Sequence, residues 1–208
     1  MAEMKKIFDR VRDLVLYGDA HLRIWEGLAN EVRRDNFLVG NTAPTFFGLT
    51  LEAHLDRALI NAAKTFDSHK DALTLKKVLN CAGQNKRTLS SENQKRLAEF
   101  FPAAECQLRE ISSNLSAIQT RRDKIIAHLD RKAVSAPQTV IADSQVTLDD
   151  LKKVYAVAWN IIQEISTIFW DETPLLPLVD VEDYEWPLSF VRAEKKRQSA
   201  LYHSDMPC

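Results

Sequence analysis

Apolar side chains recur every three or four positions along most of the chain, which is the spacing of one face of an α-helix. The first stripe covers residues 7–32 and predicts one long helix or two collinear helices, with Gly18 as the weak point. A second stripe over residues 47–66 predicts a helix that Pro44 can start as a first-turn proline. A shorter apolar set predicts a minor third helix that breaks at Gly83.

Two capping patterns predict the remaining helices. Ser91 followed by Gln94 resembles a capping box and predicts a fourth helix that extends to about residue 132, in which Pro102 must cause a kink or a fresh start. Thr147 and Asp150 form another capping pair ahead of a fifth apolar stripe over residues 148–169, which predicts a fifth helix. No strand-like alternation is present. We therefore predict an all-α fold, a helical bundle of about five helices.

The character of the sequence changes after residue 170. Four of the seven prolines lie beyond residue 173, and residues 171–185 contain six acids and no base. Basic side chains follow between residues 192 and 197, where we expect a short terminal helix at most. We predict a helical domain over residues 1–170 and an extended arm, acidic and then basic, over residues 171–208.

Composition and charge exclude several classes of protein. Lysine and arginine number 28 against 29 acids, so binding to nucleic acid would require a local basic patch. The five glycines form no phosphate-binding loop, which argues against dinucleotide and P-loop enzymes. Three scattered cysteines favour a reducing cytoplasm over a disulfide scaffold. No apolar run approaches the length of a membrane span, so we expect a cytoplasmic protein without a membrane segment.

An arginine interrupts the apolar stripe of the fourth predicted helix. Spacings of three and four residues connect the stripe over residues 108–129, and Arg122 occupies one of its positions. Partial burial of a guanidinium costs several kcal/mol unless the charge is paired. One interpretation is a structural ion pair with an acid of the second helix, such as Glu52 or Asp56. The other is a bound anion, because a guanidinium can hold phosphate oxygens through two hydrogen bonds.

The segment around this arginine, RRDKIIAHLDRK at residues 121–132, is locally basic. On an ideal α-helix Arg121, Lys124 and His128 share one face, and the long side chain of Arg122 could converge with them. Histidine is suited to proton transfer near neutral pH, and a cation can stabilise charge that develops on phosphorus. These are the groups that metal-free RNA cleavage needs, although a single histidine on a basic helix is more often a surface residue.

The sequence Arg122, Asp123 and His128 resembles the motif of the HEPN superfamily, in which an arginine and a polar residue precede a histidine on a late helix. The longer string RRDKIIAHLD is similar to that of the abortive-infection AbiU-type branch. The string FDSHKDALTLKKVL at residues 66–79 precedes the motif helix in a similar order. The resemblance covers about residues 5–170.

This resemblance implies a helical homodimer in which the motif helices of two protomers meet in a shared cleft. Many members are metal-independent endoribonucleases of toxin and antiphage systems. The implied roles are acid or base for His128, phosphate binding for Arg122, and orientation of that arginine or lining of the cleft for Asp123. Helix geometry adds Arg121 and Lys124 as substrate-binding cations. We expect RNA as a partner, a cognate antitoxin if the protein is a toxin, and no metal or cofactor.

Several alternatives stay open at this point. Arg121 offers a second spacing to the histidine, so either Arg121 or Arg122 could be the motif arginine. The superfamily also contains members without demonstrated catalysis, so a non-catalytic module that binds nucleotide, RNA or a partner protein is the main alternative. A structural dimer with Arg122 in an ion pair is the third. The His-x-Asp pairs at 54–56 and 128–130 do not predict a metal site, because that spacing separates the two groups on a helix.

Overall fold

A computed structural model describes residues 1–69, 71–126, 145–174 and 181–204 of the chain. Within these ranges there are seven α-helices and no strand, so the all-α prediction is confirmed. The helices are α1 (Ala2–Phe37), α2 (Pro44–Thr65), α3 (Leu75–Asn85), α4 (Ser91–Glu110), α5 (Ser112–Arg121), α6 (Leu148–Trp170) and α7 (Glu185–Ser204). No helix of the described ranges is long and apolar enough to cross a membrane.

The chain divides into two compact units. One comprises Met1–Asp19 and Arg57–Leu176, and the other comprises Ala20–Asp56 and Pro177–Cys208. Helices α1 and α2 therefore each contribute to both units. This division differs from the sequence-based one after residue 170, which separated the C-terminal segment from all of the preceding chain.

Helix α6 supplies much of the core of the first unit. It buries an apolar side chain on nearly every turn, and it packs against α4 and α5. The predicted capping box is confirmed at its start, where the Thr147 hydroxyl accepts from the Asp150 backbone N–H and the Asp150 carboxylate accepts from the Thr147 backbone N–H. The helix ends at Trp170, and the C-cap residue Asp171 has a left-handed φ of 54°. Residues fully buried along α6 are Val154, Ala158, Ile161, Ile162 and Ile165.

The boundaries of two other predicted helices differ from the sequence-based ones. Helix α3 continues through Gly83, because a single glycine in a helix costs only about 1 kcal/mol and the flanking packing overrides it. The cap of α4 is Ser90, one residue before the predicted Ser91: the Ser90 hydroxyl accepts from the Asn93 backbone N–H. Gln94 donates to the Leu89 carbonyl oxygen, so it still fixes the entry to the helix.

The fourth predicted helix is interrupted at Ile111, whereas Pro102 lies inside α4. Pro102 and Ala98, one turn earlier, are both exposed, so water can satisfy the carbonyl that the proline leaves unpaired. Ile111 is fully buried and has φ −98° and ψ 6°, which lie outside the α-helical region. The break between α4 and α5 therefore falls at a buried residue of the apolar stripe and not at the proline.

The second unit has its own small apolar core, formed by Leu28, Val39, Phe47 and Leu188. Leu188 belongs to α7, a helix of 20 residues where we expected an extended arm with a short helix at most. Glu185 in the first turn of α7 complements the positive end of the helix dipole. Glu185, the last acid of the acidic stretch, is the first residue of α7, and the basic residues 192–197 lie within this helix.

A close packing contact in the first unit explains why α1 contains a glycine. Gly18 is buried inside α1, and a Cβ added there would lie 2.6 Å from Cζ and 2.7 Å from Cε1 of Tyr155. The Tyr155 ring is 2% exposed, and its hydroxyl donates to the Ala58 carbonyl oxygen at 2.6 Å. The ring therefore has little freedom to move away.

We expect Gly18→Ala to lower the free energy of unfolding by about 1–3 kcal/mol, because the added methyl group overpacks this contact. Gly48→Ala is the matched control: Gly48 is also helical, but a Cβ there has no neighbour within 4 Å. The control should be stabilised by about 0.5–1 kcal/mol through helix propensity alone. Urea unfolding measures both values, and equal stabilisation of the two variants would contradict the packing argument.

Candidate functional site

The predicted motif lies where α5 passes into a π-helix over Arg122–Ile126. In a π-helix the hydrogen bonds join residues five apart, and such segments occur frequently at functional sites. The shared face of Arg121, Lys124 and His128 was predicted from α-helical winding, so it cannot be carried across this segment. His128 lies outside the described residues.

The guanidinium of Arg122 lies between two carboxylates. Its Nη1 donates to Asp67 Oδ2 at 3.2 Å, and its Nε donates to Asp123 Oδ1 at 2.6 Å. The side chain is 22% exposed, and the hydrogen bond to Asp123 is the main cause that raises the pKa of Arg122. The ion pair that we considered for this arginine is therefore present, but its partner on the α2 side is Asp67 instead of Glu52 or Asp56.

Asp67 holds two parts of the chain at once. It lies just after α2, where its Oδ1 accepts the His69 backbone N–H at 2.8 Å in a local turn. Its Oδ2 accepts from Arg122. The pKa of Asp67 is lowered, first by the hydrogen bond from the His69 backbone and then by Arg122, while partial burial opposes both. One carboxylate thus shapes the turn after α2 and positions the motif arginine.

Further contacts fix the position of α5. Gln119 lies three residues before Arg122 and donates to the Phe66 carbonyl oxygen at 3.3 Å, so the two side chains reach consecutive residues at the end of α2. Asn114 donates to Asp150 Oδ1 at 2.5 Å and ties α5 to the start of α6. Helix α5, which leads into the motif, is therefore held by the segment after α2 and by the start of α6.

The other predicted cations lie beside this pair. Arg121 and Lys124 are half-buried, and neither forms an ion pair with any described residue. Asp123 is exposed and accepts from Arg122. Residues 121–124 thus carry three cations and one anion, a local positive excess on a chain whose net charge is −1.

A cleft of about 1070 Å³ opens next to Asp67. Its walls come from the segment after α2, from α3 and α4, and from Leu115 of α5. Among its lining residues are two aromatic rings, Phe66 and Phe101, and two lysines, Lys76 and Lys77. Asp67 belongs both to this wall and to the ion pair with Arg122, so the cleft and the motif arginine are adjacent.

In the parts of the chain that the structure describes, no three histidine, cysteine, aspartate or glutamate side chains are grouped so that they could hold a metal ion.

The helical fold and the arginine followed by an acid at the end of a late helix define a HEPN-type domain. The family model described as AbiU2 matches residues 1–184, which is most of the chain, and the protein belongs to this AbiU2 family of HEPN domains. This match is longer than the sequence resemblance, which covered about residues 5–170. No curated protein and no solved structure gives a match.

Asp67 and His69 have no role in the sequence-based prediction, although both lie in the string that contributed to the resemblance. Asp67 is separated from Arg122 by 55 positions, and helical periodicity relates only residues a few positions apart. An Asp two residues before a His, directly after a predicted helix end, is a turn signal that could have indicated the local hydrogen bond.

Loss of the Asp67 carboxylate should change how stability depends on pH. A group whose pKa is lowered on folding contributes stability that is present above its ordinary pKa of 3.8 and is lost as the pH falls through the folded value. We expect Asp67→Asn to cost about 1 kcal/mol at neutral pH, since both partners are only half-buried. The difference from the wild type should shrink as the pH falls below about 4.

Urea unfolding at neutral and acidic pH measures this difference. Asp71→Asn is the matched control, because Asp71 is an exposed acid of the same segment and its carboxylate contacts neither His69 nor Arg122. A stability loss for Asp67→Asn that does not change with pH would show that the carboxylate charge is unimportant.

Proposed function

We propose that this protein is a metal-independent endoribonuclease of a phage-defence or toxin type, active as a cytoplasmic homodimer. The observation that carries the proposal is the arrangement at Arg122: a half-buried guanidinium, held by Asp67 and Asp123, beside a cleft and two further cations. Membership of the AbiU2 family supports the same assignment.

The proposed reaction uses the substrate's own 2′-hydroxyl as nucleophile. The hydroxyl oxygen bonds to the adjacent phosphorus, its proton passes to a base, and the bond from phosphorus to the 5′-oxygen breaks. The products are a 2′,3′-cyclic phosphate and a 5′-hydroxyl, and a second proton goes to the leaving oxygen. His128 is proposed as acid or base, because an imidazole can accept and donate a proton near neutral pH. In a dimer the second copy of His128 is available for the other transfer.

Arg122 is proposed to bind the scissile phosphate. A guanidinium has five N–H donors, and the hydrogen bonds to Asp67 and Asp123 use two of them, which leaves three for phosphate oxygens. The two carboxylates fix the plane of the group before substrate arrives, so little rearrangement is needed as charge develops on phosphorus. Arg121 and Lys124 would offset the negative charge of those carboxylates and contact the RNA backbone.

The ion pairs of Arg122 also support a second function, in which this arginine has a structural role. Two carboxylates already neutralise Arg122, which is what a structural role would require. In that case the domain is a non-catalytic HEPN module, and the cleft binds nucleotide, RNA or a partner protein such as an antitoxin. RNA cleavage by the purified protein separates the two functions.

We expect the purified wild type to cleave RNA in excess EDTA and to leave cyclic phosphate ends. Arg122→Ala and His128→Ala should each reduce the rate about 100-fold or more, the size expected for loss of transition-state stabilisation or of an acid–base group. Arg121→Ala should reduce it less, if Arg122 is the motif arginine. Gel analysis of total and transfer RNA with end-group determination measures these effects.

Two controls keep the test specific. His69→Ala removes a histidine that lines the cleft from another segment, so cleavage that is retained in this variant would exclude His69 as the acid or base. Circular dichroism and urea unfolding establish that each variant is folded. Absence of cleavage by a folded wild-type dimer on all RNAs would instead support the binding module.

A further inference from the structure

The cleft beside Asp67 combines the groups that recognise an unpaired nucleobase. Phe66 and Phe101 present aromatic rings, on which bases stack in single-stranded RNA complexes. Asn80 and Gln84 lie one turn apart on α3 and line the same cleft. Neither amide has a hydrogen-bond partner among the described residues, so both are available for base edges.

Two lysines also line this cleft. Lys76 and Lys77 lie at the start of α3 and line the cleft, and neither forms an ion pair with any residue that the structure describes. Lysine contacts to phosphate are the main sequence-independent contribution to nucleic-acid binding. The aromatic rings, the unpaired amides and the lysines therefore match the face of a nucleobase, the edge of that base and the phosphate of a nucleotide.

Volume and position fit the same ligand. A cleft of about 1070 Å³ is slightly larger than the usual range for small-molecule sites, about 300–1000 Å³, so it has room for a nucleotide. Asp67 lines the cleft and holds Arg122, the residue proposed to bind the scissile phosphate. A base in the cleft would thus belong to a nucleotide next to the cleaved bond.

Gly83 supports this use of the cleft. It lies inside α3 with an ordinary helical backbone, where glycine is less favourable than alanine. A Cβ at this position would lie 3.7 Å from Cζ of Phe101, an ordinary contact, so no clash in the protein itself requires glycine. Glycine leaves the α3 wall of the cleft without a side chain against the Phe101 ring.

We propose that the cleft between α3 and α4 is a nucleobase subsite, in which Phe101 stacks on an unpaired base of single-stranded RNA beside the bond that is cut. The proposal rests on the proposed ribonuclease function. It adds a specificity site on residues that are separate from the motif.

The test measures binding and cleavage by the full chain. The binding probe is a short labelled RNA with 2′-O-methyl groups, which cannot be cleaved by 2′-hydroxyl attack, and its partner probe lacks one base but keeps the backbone. Gly83→Leu should fill the space beside Phe101 without loss of helix stability. Gly48→Leu is the matched control, a helical glycine with open space that lies outside the cleft.

We expect removal of the base to weaken binding to the wild type about 5- to 100-fold, as for other aromatic stacking sites. The same removal should have little effect in Gly83→Leu and in Phe101→Ala, because the subsite is already lost there. Gly48→Leu should behave as the wild type, and unfolding measurements should show that Gly83→Leu is at least as stable as the wild type.

The possible failures have different meanings. If the wild type cleaves and binds RNA but the abasic probe binds equally well, or Gly83→Leu responds as Gly48→Leu does, the subsite is disproved and the ribonuclease function stands. If the wild type neither binds nor cleaves RNA, the proposed function fails and the subsite fails with it.

Discussion

The ion pair between Arg122 and Asp67 is the contact on which the candidate site depends. It joins the segment after α2 to the start of the π-helix, across 55 positions of sequence. Because Asp67 also accepts the His69 backbone N–H, the same carboxylate shapes the wall of the cleft. A single charge therefore sets both the direction of the motif arginine and the form of the space beside it.

The energy of this pair follows from its half-buried position. A fully buried pair that loses one partner costs about 3–5 kcal/mol, whereas an exposed pair contributes about 1 kcal/mol or less. Arg122 and Asp67 are 22% and 28% exposed, so water still reaches both groups and lowers the cost of separating them. Such a pair is strong enough to orient the guanidinium, yet an incoming phosphate can compete for its remaining donors.

Much of the fold could be predicted from periodicity, since each of the five predicted stripes corresponds to one or more helices. The errors occur where tertiary contacts decide the outcome. Ile111 is buried and interrupts a continuous apolar stripe, while exposed Pro102 is tolerated inside α4. The π-helix at Arg122–Ile126 and the length of α7 were missed as well. Periodicity records which side chains avoid water, and it contains no information about the partners against which they pack.

The candidate site also has one part that the sequence could predict and one part that depends on tertiary contacts. Arg122 could be predicted as a site residue because a charge within an apolar stripe requires a partner, and the stripe is visible from neighbouring residues alone. Its actual partner could not be found, since no sequence rule connects the end of α2 with the end of α5. The π-helix adds a further consequence: its hydrogen bonds join residues five apart, so α-helical spacing does not apply across Arg122–Ile126. Spacing alone therefore cannot decide between Arg121 and Arg122 as the motif residue, whereas the contacts with Asp67 and Asp123 belong to Arg122 and distinguish it physically.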